Sequence, residues 1–351
     1  MFLAEHYHSI MKQWLAVDIG GANLKAAHTT GAACAEPFAL WKSPDQLAER
    51  LRALAGLLPA FDMVAVTMTA ELCDCFATKN DGVRHVLDAV ESAFNGREIR
   101  VWTLDGRFRG VAEVRIEPAS AAASNWLALA SVAARLLPAE ASILVDVGST
   151  TTDLIPLSGG NVAARGRTDL SRMRHGELVY VGIRRTPACA VAASIELFGF
   201  ETPLAAELFA TTNDVYLALG STVEDQEDRD TADGRPSTRA YALARLARSV
   251  CADLNELNVD AALAIARALD EIVVARLVAA ARNACEATVG APRAAIVAGS
   301  GSIVANRVAR ALVGTHGNVL NLSELWSPAA ADAACAFALI ELVRNANLNC
   351  S

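Results

Sequence analysis

Two segments of the chain repeat one pattern, and that repeat limits the fold more than any other feature. Residues 13–28 read QWLAVDIGGANLKAAH and residues 142–157 read SILVDVGSTTTDLIPL. Each is an apolar strand ending in Asp-x-Gly, then a turn of small or hydroxylated residues, then a second alternating strand. Such a turn exposes backbone N–H groups and hydroxyls to phosphate oxygens, and the adjacent Asp orients water, a cation or another donor. In the first copy the phosphate-binding candidates are Gly20, Gly21 and Asn23, with Asp18 and Lys25 as catalytic candidates. In the second copy they are Gly148, Ser149, Thr150, Thr151 and Thr152, with Asp146 as the catalytic candidate. Asp18, Asp146 and Asp153 supply the carboxylates that a hard cation would take. Neither segment is a G-x-G-x-x-G or a G-x(4)-G-K-[ST] motif, which argues against the commonest nucleotide folds. Two copies of one hairpin imply two related α/β domains flanking an interdomain cleft.

The intervening sequence reads as alternating layers. Residues 44–58 and 84–94 are helical, 61–67 and 111–116 are strand-like, and the Ala-rich stretch 119–137 connects to the second hairpin. Glu71 follows the 61–67 strand, where it either faces the cleft or caps a following helix. Residues 164–187, ARGRTDLSRMRHGELVYVGIRRTP, form the densest basic stretch. Arg165, Arg167, Arg172, Arg174, His175, Arg184 and Arg185 are the candidates there for a phosphorylated or carboxylated substrate, against a solvated surface with internal ion pairs. Residues 221–238 are a polar loop in which Asp233, before Gly234, is the more specific candidate for the cleft. Helical patterns span 239–253 and 260–287. The strand 294–299 then enters a turn where Gly299, Ser300 and Gly301, followed by Asn306, would pass a nucleotide-like or bulky ligand group. The run 329–346 is a helix placed to return to the first domain. Boundaries fall at 11–138, 139–328 and 329–351, with Pro138 as the break signal.

Composition removes several alternatives. The formal charge is −8, with Lys and Arg outnumbered by Asp and Glu, so a nucleic-acid partner is not expected. No apolar run reaches membrane-spanning length, and MFLAEHYHSI has no secretion signal, so the expectation is a cytoplasmic protein without a membrane partner. Those ten residues read as a disordered arm. Eight scattered cysteines read mostly as reduced core residues, and the Cys73-x-Cys75 pair has no second cluster to complete a metal site. Ala-rich helices cover a sheet with or without a partner, which leaves a monomer and a homodimer open.

Taken in order, DIGGANLKAAH, MTAELCD, VDVGSTTTDLIPL, the 167–187 block, TADGRP and VAGSGS resemble the hydantoinase/oxoprolinase-related branch of the actin, sugar kinase and Hsp70 superfamily. Within it the chain is similar to the methanofuran-biosynthesis condensing enzymes of methanogens and their homologues in methylotrophs. The resemblance covers nearly the whole chain. It implies actin-like ATPase (ribonuclease H-like) domains and a reaction joining an aminomethylfuran-methyl diphosphate to γ-glutamyltyramine or a related phenol. The products would be an aryl ether and diphosphate, with the two hairpins holding the leaving group. It further implies Mg²⁺, and admits ATP without requiring it. An ATP-dependent small-molecule kinase, a hydantoinase-like amidohydrolase and a noncatalytic ATP-binding scaffold are the alternatives.

Overall fold

The computed structural model describes residues 12–348; the expected N-terminal arm and Cys350 lie outside the described residues. The chain divides into two units, Met1–Val132 with Trp326–Ser351 and Ala133–Leu325. The first break therefore falls ahead of Pro138, at the last residue of the helix Asn125–Ala133.

The first unit is built on a six-stranded sheet of β1 (Trp14–Ile19), β2 (Asn23–His28), β3 (Ala33–Pro37), β4 (Met63–Met68), β5 (Glu98–Trp102) and β6 (Phe108–Gly110), in the order β3-β2-β1-β4-β5-β6. β4 runs parallel to β1 and β5, while the hairpin β1–β2 is antiparallel. Side chains alternate across a strand, so Leu15, Val17 and Ile19 enter the core formed with helices Leu47–Ala55 and Lys79–Ala93. Trp14, Ala16 and Asp18 therefore point to the other face. Helix Ala334–Leu348 packs on β1, β2 and β4. With both faces covered, β1 and β4 are buried along their whole length, which explains their near-continuous apolar sequences.

The second unit repeats that arrangement. β7 (Ser142–Val147) pairs antiparallel with β8 (Thr152–Ser158) and parallel with β13 (Ala294–Ala298). Its sheet order is β10-β8-β7-β13-β14, where β10 is Leu178–Val179 and β14 is Asn318–Asn321, and β9 (Asn161–Val162) pairs with β8. The remaining strands, β11 (Ser194–Leu197) and β12 (Phe200–Pro203), form a separate hairpin. Ile143, Val145 and Val147 pack with Ile265, Leu269, Val273 and Leu277 of the long helix Val259–Glu286.

Two local expectations are corrected. Residues 111–116 form a helix, Val111–Ile116, because the Glu113 carboxylate accepts the Gly110 N–H at 3.1 Å and closes a capped turn. Only Val114 of that segment is fully buried, with Val111 packed beside the core, a spacing of three that suits a helix. The connecting helix is confined to Asn125–Ala133, preceded by a 3₁₀ turn at Pro118–Ser120 and by Ala123 at φ +48°.

Candidate active site

In the first unit the Gly20 N–H donates to the Asn23 carbonyl at 3.0 Å and closes the turn between β1 and β2. A Cβ on Gly20 would lie 2.9 Å from the Asn23 oxygen, and one on Gly21 would lie 2.8 Å from Cys73 Sγ. The turn is thus held under the chain that follows β4, and both glycines are required by close approach. The N–H groups of Gly21 and Ala22 make no backbone hydrogen bond among the described residues.

Asp18 lies on β1 directly opposite Lys25 of β2 and beside Thr67 of β4. It is 5% exposed, and one carboxylate oxygen is buried without a hydrogen-bond partner. Burial raises its pKa from 3.8 to about 6, against the Lys25 charge and a hydrogen bond from the Asn125 side chain, both of which lower it. The corner that supplies Asn125 is fixed by Ser124, whose hydroxyl bonds Thr67 Oγ1 at 2.9 Å and the Trp102 carbonyl at 3.0 Å. Nothing in the local sequence AAASNW marks Asn125 as a site residue. Glu71 is buried in the 3₁₀ turn Ala70–Leu72, with Lys79 Nζ at 4.0 Å and the helix Lys79–Ala93 packed over it. The hydroxyl of Thr78 and the carboxylate of Asp81 form the cap of that helix, so Glu71 is not its capping residue.

The second turn has the same ring, Gly148 N–H to the Thr151 carbonyl at 2.9 Å. Gly148, Ser149, Thr150 and Thr151 are half-buried, and the N–H groups of Ser149 and Thr150 make no backbone hydrogen bond among the described residues. Thr152 is different. It is fully buried and its hydroxyl donates to the Val181 carbonyl at 2.7 Å, a bond that holds the fold. Asp146 faces Asp153 across the hairpin and Ala298 on β13. The Gly299–Gly301 turn closes over the end of β7. A Cβ on Gly299, at φ +86°, would lie 2.4 Å from Asp146 Oδ1, and Gly301 N–H donates to the Val147 carbonyl at 2.8 Å. Ser300 is exposed, while the Asn306 amide is engaged with the Ser302 carbonyl and Asn321 Oδ1, both at 2.9 Å.

The basic segment separates into distinct duties. Arg172 is 2% exposed and bonds Asp153 and the Glu177 carbonyl, so the pair acts as an internal strut. Glu177, overlooked in the sequence, is fully buried and accepts the Arg165 and Gly166 N–H groups at 2.6 and 2.8 Å. Arg165, Arg167 and Arg174 are exposed, and His175 is half-buried. Arg184 and Arg185 both donate their backbone N–H to the Ser149 carbonyl, at 3.1 and 3.0 Å, and Ile183 donates to the Gly148 carbonyl. Gly182 permits this, since a Cβ there would lie 2.5 Å from Ser149 C and Thr150 N. A glycine inside the strand-like run VYVGIRR was the sequence signal for such an approach. Asp233 pairs with Arg245 at 2.9 Å and Arg248 at 3.4 Å, and Arg245 also bonds the buried Asp214 at 2.7 Å, which gives Asp233 an anchoring duty. Among the described residues no three His, Cys, Asp or Glu side chains are grouped to hold a metal by themselves. No described helix is long and apolar enough to cross a membrane.

A family model of hydantoinase/oxoprolinase matches residues 62–339. A (4-{4-[2-(γ-L-glutamylamino)ethyl]phenoxymethyl}furan-2-yl)methanamine synthase from Methanocaldococcus jannaschii is 40% identical over 242 residues, which is 68% of this chain and 72% of that protein. The enzyme of the same description from Methanococcus vannielii is 41% identical over 124 residues, 35% of this chain and 55% of that protein. Among solved structures, nucleotide-free acetone carboxylase superposes with a TM-score of 0.50 at 14% identity, covering 86% of this chain and 46% of that one. That likeness concerns the fold, an α/β fold of the actin-like ATPase type.

Proposed function

From the premise that this chain belongs to the hydantoinase/oxoprolinase family, we propose that it is a condensing transferase of the methanofuran-synthase kind. In this reading a phenol such as γ-glutamyltyramine attacks the methyl carbon of an aminomethylfuran-methyl diphosphate. The new bond is the aryl ether C–O bond, the bond broken joins that carbon to diphosphate, and the phenol proton leaves to a base. The observation that carries the reading is 40% identity with the M. jannaschii synthase over 242 residues.

The residues support each requirement. The N–H groups of Ser149 and Thr150, and of Gly21 and Ala22, make no backbone hydrogen bond among the described residues and are of the kind that hold phosphate oxygens as negative charge develops on departure. Asp18 is the base. Its desolvation brings its pKa to about 6, closer to that of a phenol than a solvated carboxylate comes, while Lys25 across the hairpin favours the ionised form that accepts the proton. Asp146, half-buried at the end of β7, suits a cation that takes most of its other ligands from water and diphosphate. Mg²⁺ held there would neutralise leaving-group charge. Asp153 does not serve this purpose because Arg172 occupies it.

Nucleotide-free protein incubated with Mg²⁺, the furan-methyl diphosphate and γ-glutamyltyramine is expected to form ether and diphosphate in equal amounts, followed by mass spectrometry. Condensation only with stoichiometric ATP consumption would refute direct displacement and favour a kinase-like or amidohydrolase-like reaction. ATP binding without turnover would favour a scaffold.

A further inference from the structure

The polar segment 221–238 has no part in the reaction just described, yet its ties lead to the second turn. Asp233 ties it to Arg245, which is itself held by the buried Asp214. Ser237 ties it a second time, accepting the Asn213 side-chain N–H at 2.8 Å and donating its own N–H to the Asp228 carbonyl at 2.9 Å. Asn213 in turn donates its backbone N–H to the Arg184 carbonyl at 3.1 Å. The segment thereby presents Asp228, whose carboxylate meets the Arg184 guanidinium at 2.6 Å, while the exposed Asp230 stands farther off at 4.0 Å. Partial burial opposes ionisation of Asp228, but the Arg184 hydrogen bond and charge hold it below the usual carboxylate range.

Arg184 is rooted on the turn, its N–H bonded to the Ser149 carbonyl, and its side chain is a third exposed. An arginine starting one hydrogen bond from the Gly148–Thr151 turn has the length to reach an anion resting on the Ser149 and Thr150 amides. We propose that Arg184 is a diphosphate-binding residue and that Asp228 is its positioning residue, orienting the planar guanidinium so that its remaining N–H groups face the anion. The proposal rests on the reading that diphosphate is the leaving group. It also gives the acidic segment a purpose, because a carboxylate next to an anion site would repel the anion unless an arginine stood between them.

Titration calorimetry of inorganic pyrophosphate with Mg²⁺ into the full chain tests this in a double-mutant cycle. Arg184→Ala is expected to weaken pyrophosphate binding on the order of tenfold, the loss of one charge-assisted contact. Asp228→Asn is expected to weaken it several-fold when Arg184 is present and to add nothing in the Arg184→Ala background. Arg184→Lys, which keeps the charge but lacks the fork, is expected to stay weakened while its thermal melting is unchanged. Equal losses from Asp228→Asn in both backgrounds would reduce Asp228 to a loop contact, and tighter binding would make it a competitor; either result overturns the proposal. Unaltered affinity in Arg184→Ala overturns it while leaving the diphosphate reading intact. A wild-type protein that binds no pyrophosphate overturns both.

Discussion

Replacing Asp18 by Asn should stabilise the protein while stopping its reaction. The folded-state pKa of Asp18 is raised from 3.8 to about 6 by burial, net of the opposing Lys25 charge and Asn125 hydrogen bond. Between those two values the native state binds more protons than the unfolded one, so stability falls as pH rises through that window. Each pKa unit corresponds to about 1.4 kcal/mol, so the raised value costs ~3 kcal/mol of stability above pH 6 and almost nothing below pH 4. Asp18 is 5% exposed, so solvent screening removes little of this. Asn has the same shape and does not titrate. The stability difference between Asp18→Asn and wild type should therefore grow from near zero at pH 4 to ~3 kcal/mol at pH 7. All five tryptophans, Trp14, Trp41, Trp102, Trp126 and Trp326, lie in the first unit, so urea unfolding followed by tryptophan fluorescence reads that unit directly. The same protein should show no condensation, and wild-type kcat/KM should climb as pH rises through about 6. A stability difference independent of pH, or an Asn variant less stable than wild type at pH 7, would refute the argument that this carboxylate is held in place at a thermodynamic cost.

Two other perturbations bear on the second unit. Gly182→Ala places a Cβ 2.5 Å from Ser149 C and Thr150 N, so it should lower stability by about 1–3 kcal/mol and weaken pyrophosphate binding, measured by circular-dichroism melting and calorimetry. Arg245→Leu leaves Asp214, which is 1% exposed, without its buried partner, and should cost about 3–5 kcal/mol in urea unfolding followed by circular dichroism.

The alternation of apolar residues, the Asp-x-Gly strand ends and the small-residue turns were legible because they are local. Strand period and turn closure depend on residues next to one another, so both hairpins, the long helix Val259–Glu286 and the helix Ala334–Leu348 could be anticipated from the chain alone. The segment 111–116 shows the limit of that reasoning. Its pattern fits either period, and the capping contact between Gly110 and Glu113 decides for a helix.

The duty of a charged residue was not legible, because it depends on what the fold brings to that residue from elsewhere in the chain. Arg172 and Arg184 look alike in the basic segment. One is sealed against Asp153, while the other stands a third exposed between the Ser149 carbonyl and Asp228. Asp18 and Asp146 end equivalent strands. The first faces Lys25 and Asn125 in a desolvated environment, whereas the second faces Asp153 under a glycine turn. The sequence by itself determined the two hairpins and the strands that form them, since backbone geometry is set by near neighbours. Only the tertiary structure decided which carboxylate is desolvated and which arginine stays partly exposed, since burial and ion pairing are set by partners distant in the chain.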